Sequence, residues 1–147
     1  MQQRLNHLVF VALLAFGAGS THAQSAAVDN SLYVALGEKP GLVQLMDVFV
    51  ESLKVDPRTA VLFKDANTSH LKSELVDQVC QLSGGPCKYG GADMRTAHSN
   101  LDIRKSDFNA LVEDLERAMQ AQGIPFSAQR RLLALLAPMH RDAITVH

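Results

Sequence analysis

Six histidines and two cysteines carry most of the metal and redox chemistry open to this 147-residue chain. The sequence has no HExxH pair and no pair of ExxH motifs, so the ligand sets of zinc proteases and di-iron bundles are missing. It also has no GxSxG elbow and no phosphate-binding glycine loop. Without CxxC or CxxCH, neither a zinc ribbon, a thioredoxin-type motif nor covalent haem attachment is expected. Most of the histidines have bland readings. His7 and His22 fall in the N-terminal leader and His147 is terminal. His140, beside Arg141 and Asp142 near the end of the last helix, suits a solvated cation on the helix dipole. His70, beside Lys72, is expected to be exposed.

His98, in MRTAHSNLDI, is different. It follows a glycine-rich loop on a short predicted helix, and Met94, Leu101 and Ile103 flank it with apolar groups. A neutral imidazole on a short rigid element, with an apolar wall opposite, is what a haem iron requires on its proximal side. Phe49, Phe63, Leu71, Leu75 and Val79 are available for that wall. A packed core histidine is the competing reading at this point. Cys80 and Cys87, in CQLSGGPCKY, are separated by a strong Gly-Gly-Pro turn signal that could fold one back on the other. They are read either as a disulfide or as two separate thiols.

Residues 1–23 have the layout of a secretory signal peptide: Arg4, an apolar run from Leu8 to about Ala18, and a small-residue cleavage pattern at Thr21-His22-Ala23. The run is short for a membrane span, which needs ~20 apolar residues. The expected location is periplasmic or secreted, with no stable membrane insertion after cleavage. Removing Arg4 leaves 13 basic against 15 acidic side chains, a balance of −2. With no basic stripe, nucleic acid is not an expected partner. Residues 24–30 read as a loose leader, and 31–147 as one domain.

Helical periodicity dominates that domain, and no segment reads as a strand. SLYVALG is a short helix stopped by Gly37, and EKPG reads as a turn. Leu42, Leu45, Met46, Phe49 and Leu53 mark an amphipathic helix ending before Asp56-Pro57. Thr59 to Phe63 reads as a short apolar turn. Asn67 or Thr68 caps the next helix, with Leu71, Leu75, Val79 and Leu82 on one face. Ser106 is expected to cap a long helix with Phe108, Leu111, Val112, Leu115 and Met119 inward, ended by Gly123. Ser127 is expected to cap the last helix, with Pro138 kinking it. The whole is all-α, with short helices disposed around something they enclose.

From about Ser31 to Val146 the chain resembles a group 1 truncated haemoglobin. The resembling segments are SLYVALG, FVESLKVDPRTAVLF, LSGGPCKYGGADMRTAHSNLDI and LLALLAPM, in that order. The resemblance implies a two-over-two helical sandwich around non-covalent haem b. It makes His98 the proximal iron ligand through Nε2, with its other nitrogen held by a carbonyl, and packs Phe63 on the porphyrin. Phe49, Val50, Leu71, Leu75, Val79, Met94 and Ile103 would complete the pocket. Arg95 is a candidate propionate partner or a solvated residue, and Lys72 is a weaker candidate. The implied function is reversible binding of diatomic gases (O2, NO, CO), with NO dioxygenation or redox activity as an enzymatic extension needing a reductase or other electron donor. The alternative is a haem-shuttling, sensing or interaction module.

The chain departs from the family on the distal side. Val50 stands where the family usually has tyrosine, and Leu75, four residues beyond Leu71, where it often has glutamine. The expected pocket is therefore apolar. Gln78 and His70 would add polarity only if the distal helix were rotated from this register.

Overall fold

The computed structural model describes residues 29–146; the expected signal peptide, most of the leader and His147 lie outside them. Every regular element among the described residues is helical. In chain order they are α1 (Ser31–Ala35), α2 (Glu38–Val55), α3 (Ala60–Phe63), α4 (Thr68–Leu82), α5 (Met94–His98), α6 (Lys105–Ala121), α7 (Phe126–Leu136), a 3-10 turn (Ala137–Met139) and α8 (His140–Ala143). None of these helices is long and apolar enough to cross a membrane.

The three-and-four spacing of Leu42, Leu45, Met46, Phe49 and Leu53 puts all five on one stripe of α2, and all five are buried. That stripe packs chiefly against α4 and then α6, while α1 covers α7 and the start of α2. One continuous core draws on α1, α2, α4, α6 and α7, with Leu32, Met46, Leu53, Val79, Met119 and Leu132 inside it. The four long helices thus form the expected two-over-two, all-α arrangement.

Several local expectations are corrected. EKPG is no turn: Glu38 opens α2, and Gly37 supplies the reversal in a left-handed conformation, φ 83°. Pro40 is tolerated because N–H groups in a first turn need no intrahelical partner. Neither Ser106 nor Ser127 is a cap. Helix α6 starts two residues earlier than a Ser106 cap would place it, after Arg104, whose N–H donates to Asp107 Oδ2 at 2.9 Å. Helix α7 follows Pro125. Pro138 converts the last helix into a 3-10 turn between α7 and α8, since it cannot donate to the ladder. His140 is half-buried rather than fully solvated, its ring edge-on to Phe108 at 4.8 Å.

The turn between α2 and α4 is built on polar groups. Thr59 is buried and donates its hydroxyl to Leu53 O at 2.8 Å. Asp56 accepts from Arg58, whose hydrogen bonds hold its carboxyl down at about 2. Arg58 also reaches Glu113, and Arg117 joins Asp56 to the buried Asp114, so this corner is tied to α6.

Candidate metal centre at His98

Asp93 starts α5. Its Oδ1 accepts from Thr96 N at 3.0 Å and its Oδ2 from the Thr96 hydroxyl at 2.8 Å. These bonds hold the Asp93 carboxyl below the ordinary carboxylate value. With the first turn fixed, His98 stands at the last position of the helix, half-buried, its Nδ1 2.6 Å from Met94 O. A carbonyl can only accept, so Nδ1 carries the hydrogen and donates. In the neutral ring this leaves the lone pair on Nε2, the tautomer required of a metal-ligating histidine whose other nitrogen is held by a carbonyl.

Among the described residues no group of three or more His, Cys, Asp or Glu side chains is placed to hold a metal ion. A single imidazole secures a metal only when the metal brings its remaining donors with it, as iron does in a porphyrin. The apolar surroundings fit such a flat, greasy group. Phe63, Leu71, Leu75, Leu111, Leu133 and Leu136 pack against the core edge without being fully covered. Leu71, Leu75 and Gln78 follow one another at helical spacing on α4 and so share a face. That face meets α5, because Gln78 Nε2 lies 3.5 Å from Met94 Sδ.

The other expected site residues divide into groups. Phe49, Val50 and Val79 belong to the main core, and Val50 is 0% exposed. Its side chain carries no hydrogen-bond donor. Ile103 is buried, its carbonyl accepting from Thr145 N and Val146 N, both at 3.0 Å. Arg95 is turned outward, its side chain 82% exposed, and pairs with Asp142 at 2.8 Å. Lys72 pairs with Asp47 and Glu51. Exposed pairs of this kind contribute little and exchange partners readily. His70 is exposed, as expected.

Cys80 and Cys87 are joined in a disulfide. It clips the end of α4 to the loop that leads to α5. A side chain at Gly85 would come within 2.6 Å of Cys80 Sγ and 2.7 Å of the Tyr33 ring, so only glycine lets the loop pass so close.

Residues 31–145 match the bacterial-like globin family. The chain belongs to that family. Membership makes the protein a haem-binding globin, and the relatives it is similar to are named group 1 truncated haemoglobins. A group 1 truncated haemoglobin of Nostoc sp. is 27% identical over 95 residues, 65% of this chain and 80% of the relative. One from Tetrahymena thermophila is 27% identical over 94 residues, 64% of this chain and 78% of the relative. Among solved structures, the Fe(III) truncated haemoglobin of Tetrahymena pyriformis superposes with a TM-score of 0.73 at 22% identity, over 77% of this chain and 97% of that one. Truncated haemoglobin THB11 of Chlamydomonas reinhardtii gives 0.67 at 22% identity, covering 79% and 96%. At these identities the structural likeness speaks for the fold alone.

Sequence reasoning underrated one residue. Gln78, considered only as a source of distal polarity, is 8% exposed and directs its amide at two thioethers, Met94 Sδ and Met139 Sδ, at 3.5 and 3.6 Å. Its place on the stripe of Leu71 and Leu75 was the available signal.

Proposed function

We propose that this globin is an exported haem b protein that binds diatomic gases at an iron held by His98, with an apolar distal side. The hydrogen bond from His98 Nδ1 to Met94 O carries the reading, because it leaves Nε2 as the free donor atom. When bound, ferrous haem supplies an open coordination position for O2, NO or CO. The chain's own residues do the rest. His98 would hold the iron through Nε2, its ring fixed by the Nδ1 bond to Met94 O. Phe63, Leu71 and Leu75, partly buried at the core edge, would line the porphyrin site and exclude water from it. Val50 and Leu75 offer no hydrogen bond to a gas ligand, which disfavours O2 more than CO or NO, because O2 gains most from a donor. NO dioxygenation, which needs a stable oxygen complex and an electron donor, is therefore the lesser expectation. The signal-peptide reading of residues 1–23 and the disulfide both suit an oxidising compartment, periplasmic or extracellular.

The test is the visible spectrum of the chain from Gln24 onward, loaded with haem, in ferric, ferrous and CO-treated forms, beside His98→Ala. A five-coordinate ferrous spectrum and a CO-shifted Soret band, both damaged by the substitution, are expected. Indistinguishable spectra would return His98 to a packing role. A haem-shuttling or sensing module is the second reading, favoured by a proximal helix that buries none of its residues. Haem transfer to apomyoglobin within seconds would select it. The distal expectation has its own test. Leu75→Gln, at a half-buried position, should slow O2 release by roughly tenfold or more, the value of one hydrogen bond to a charged group at ~1.5–3 kcal/mol. Unchanged O2 release would show that residue 75 does not face the ligand.

A further inference from the structure

We propose that Gln78 is a positioning residue for His98, acting from the distal helix through Met94. The inference rests on His98 being the proximal ligand. Gln78 is buried on the inward face of α4, where an amide requires partners. It places Nε2 between the thioethers of Met94, at the start of α5, and Met139, in the 3-10 turn before α8. Each of its two amide hydrogens has a sulfur to reach. Thioethers are weak acceptors, so this is a restraint on position more than a source of stability.

Restraint is what Met94 needs. Methionine is unbranched, with three rotatable bonds, and adapts to whatever space it is given. Met46 and Met119 are immobilised by complete burial in the core. Met94 and Met139 are only half-buried, and they share the Gln78 amide. Met94 is also the residue whose carbonyl holds His98 Nδ1 at 2.6 Å. The line of contact therefore runs from α4 to the Met94 side chain, to its carbonyl, and to the imidazole. Asp93 ties α5 at the surface, and Gln78 ties it from inside. A carbonyl held in line with Nδ1–H raises the basicity of Nε2, which strengthens its bond to a metal.

Two variants of the full chain test this. Gln78→Leu removes the amide. Gln78→Glu keeps its size and, when ionised, offers no donor. The measurements are the iron–imidazole stretching band of the haem-loaded ferrous protein by resonance Raman, the rate of haem transfer to apomyoglobin, and the methyl resonances of 13C-labelled methionine without haem. In both variants we expect the stretching band to fall in frequency, haem loss to quicken by about tenfold, the lower end of the effect of outer-shell partners, and the Met94 and Met139 methyls to shift. A stretching band unmoved in both variants, with shifted methyl resonances, overturns the positioning role alone. A band missing from the parent protein overturns the assignment of His98, and this inference with it.

Discussion

Helix α2 buries six side chains, whereas α5, which carries His98, buries none. The first is fixed by apolar area and close packing on α4 and α6. The second is held by its packing on α8 and by discrete ties: the Asp93 cap, the Met94–Gln78 contact and the backbone bonds of Ile103 to Thr145 and Val146. The difference separates what makes the domain fold from what aims the imidazole. A region held by a few directional bonds opens at lower cost than the core it is attached to. Bound haem would supply the apolar contacts that the proximal segment lacks and would stabilise it by mass action.

The contrast breaks most visibly in the core. Leu45→Ala, at a fully buried position, should cost about 2–5 kcal/mol, read as a lower urea midpoint with and without haem. If haem retention fell while global stability held, the core and the proximal segment would not be separable in this way. Next comes the disulfide. Cys80→Ser with Cys87→Ser removes a closure across a sequence separation of seven residues and should cost about 2 kcal/mol by loop entropy, with faster haem loss because the loop feeding α5 is freed. Equal haem loss in parent and double variant would confine the disulfide to global stability. The smallest effect belongs to the cap. The Asp93 carboxyl is held below 3.8 by the Thr96 N–H and then the Thr96 hydroxyl. A lowered folded value means that its contribution is complete above the unfolded value and is lost as pH falls through the folded one. Acidification below about pH 4 should therefore loosen α5 before α2. Hydrogen exchange at Ala97 reads this, and Asp93→Ala should show the faster exchange already at neutral pH.

How much of this was legible in the chain follows the same division. The α2 stripe could be read because burial repeats with the helix, and five of its six buried residues stood out by spacing. His98, Phe63 and the glycine loop were legible through resemblance, as an ordered set. Polar ties were not, because their partners lie far apart in sequence: 16 residues from Gln78 to Met94, 47 from Arg95 to Asp142. Caps were misplaced for a related reason. Ser106 and Ser127 are good cap residues by type, but the chain enters α6 and α7 two residues earlier in each case. The outward turn of Arg95 was likewise open in the sequence, because nothing local distinguishes a propionate from Asp142 as its partner.

The pairing of Ile103 with Thr145 has a consequence for biogenesis. Ile103 donates its N–H to the Thr145 hydroxyl at 2.8 Å across 42 residues of chain. During synthesis, the segment that presents His98 emerges well before residues 145 and 146 exist to brace it. The brace on this segment thus forms only once residues 145 and 146 have been made, so a haem held by His98 would meet a fully braced α5 only after synthesis had passed that point.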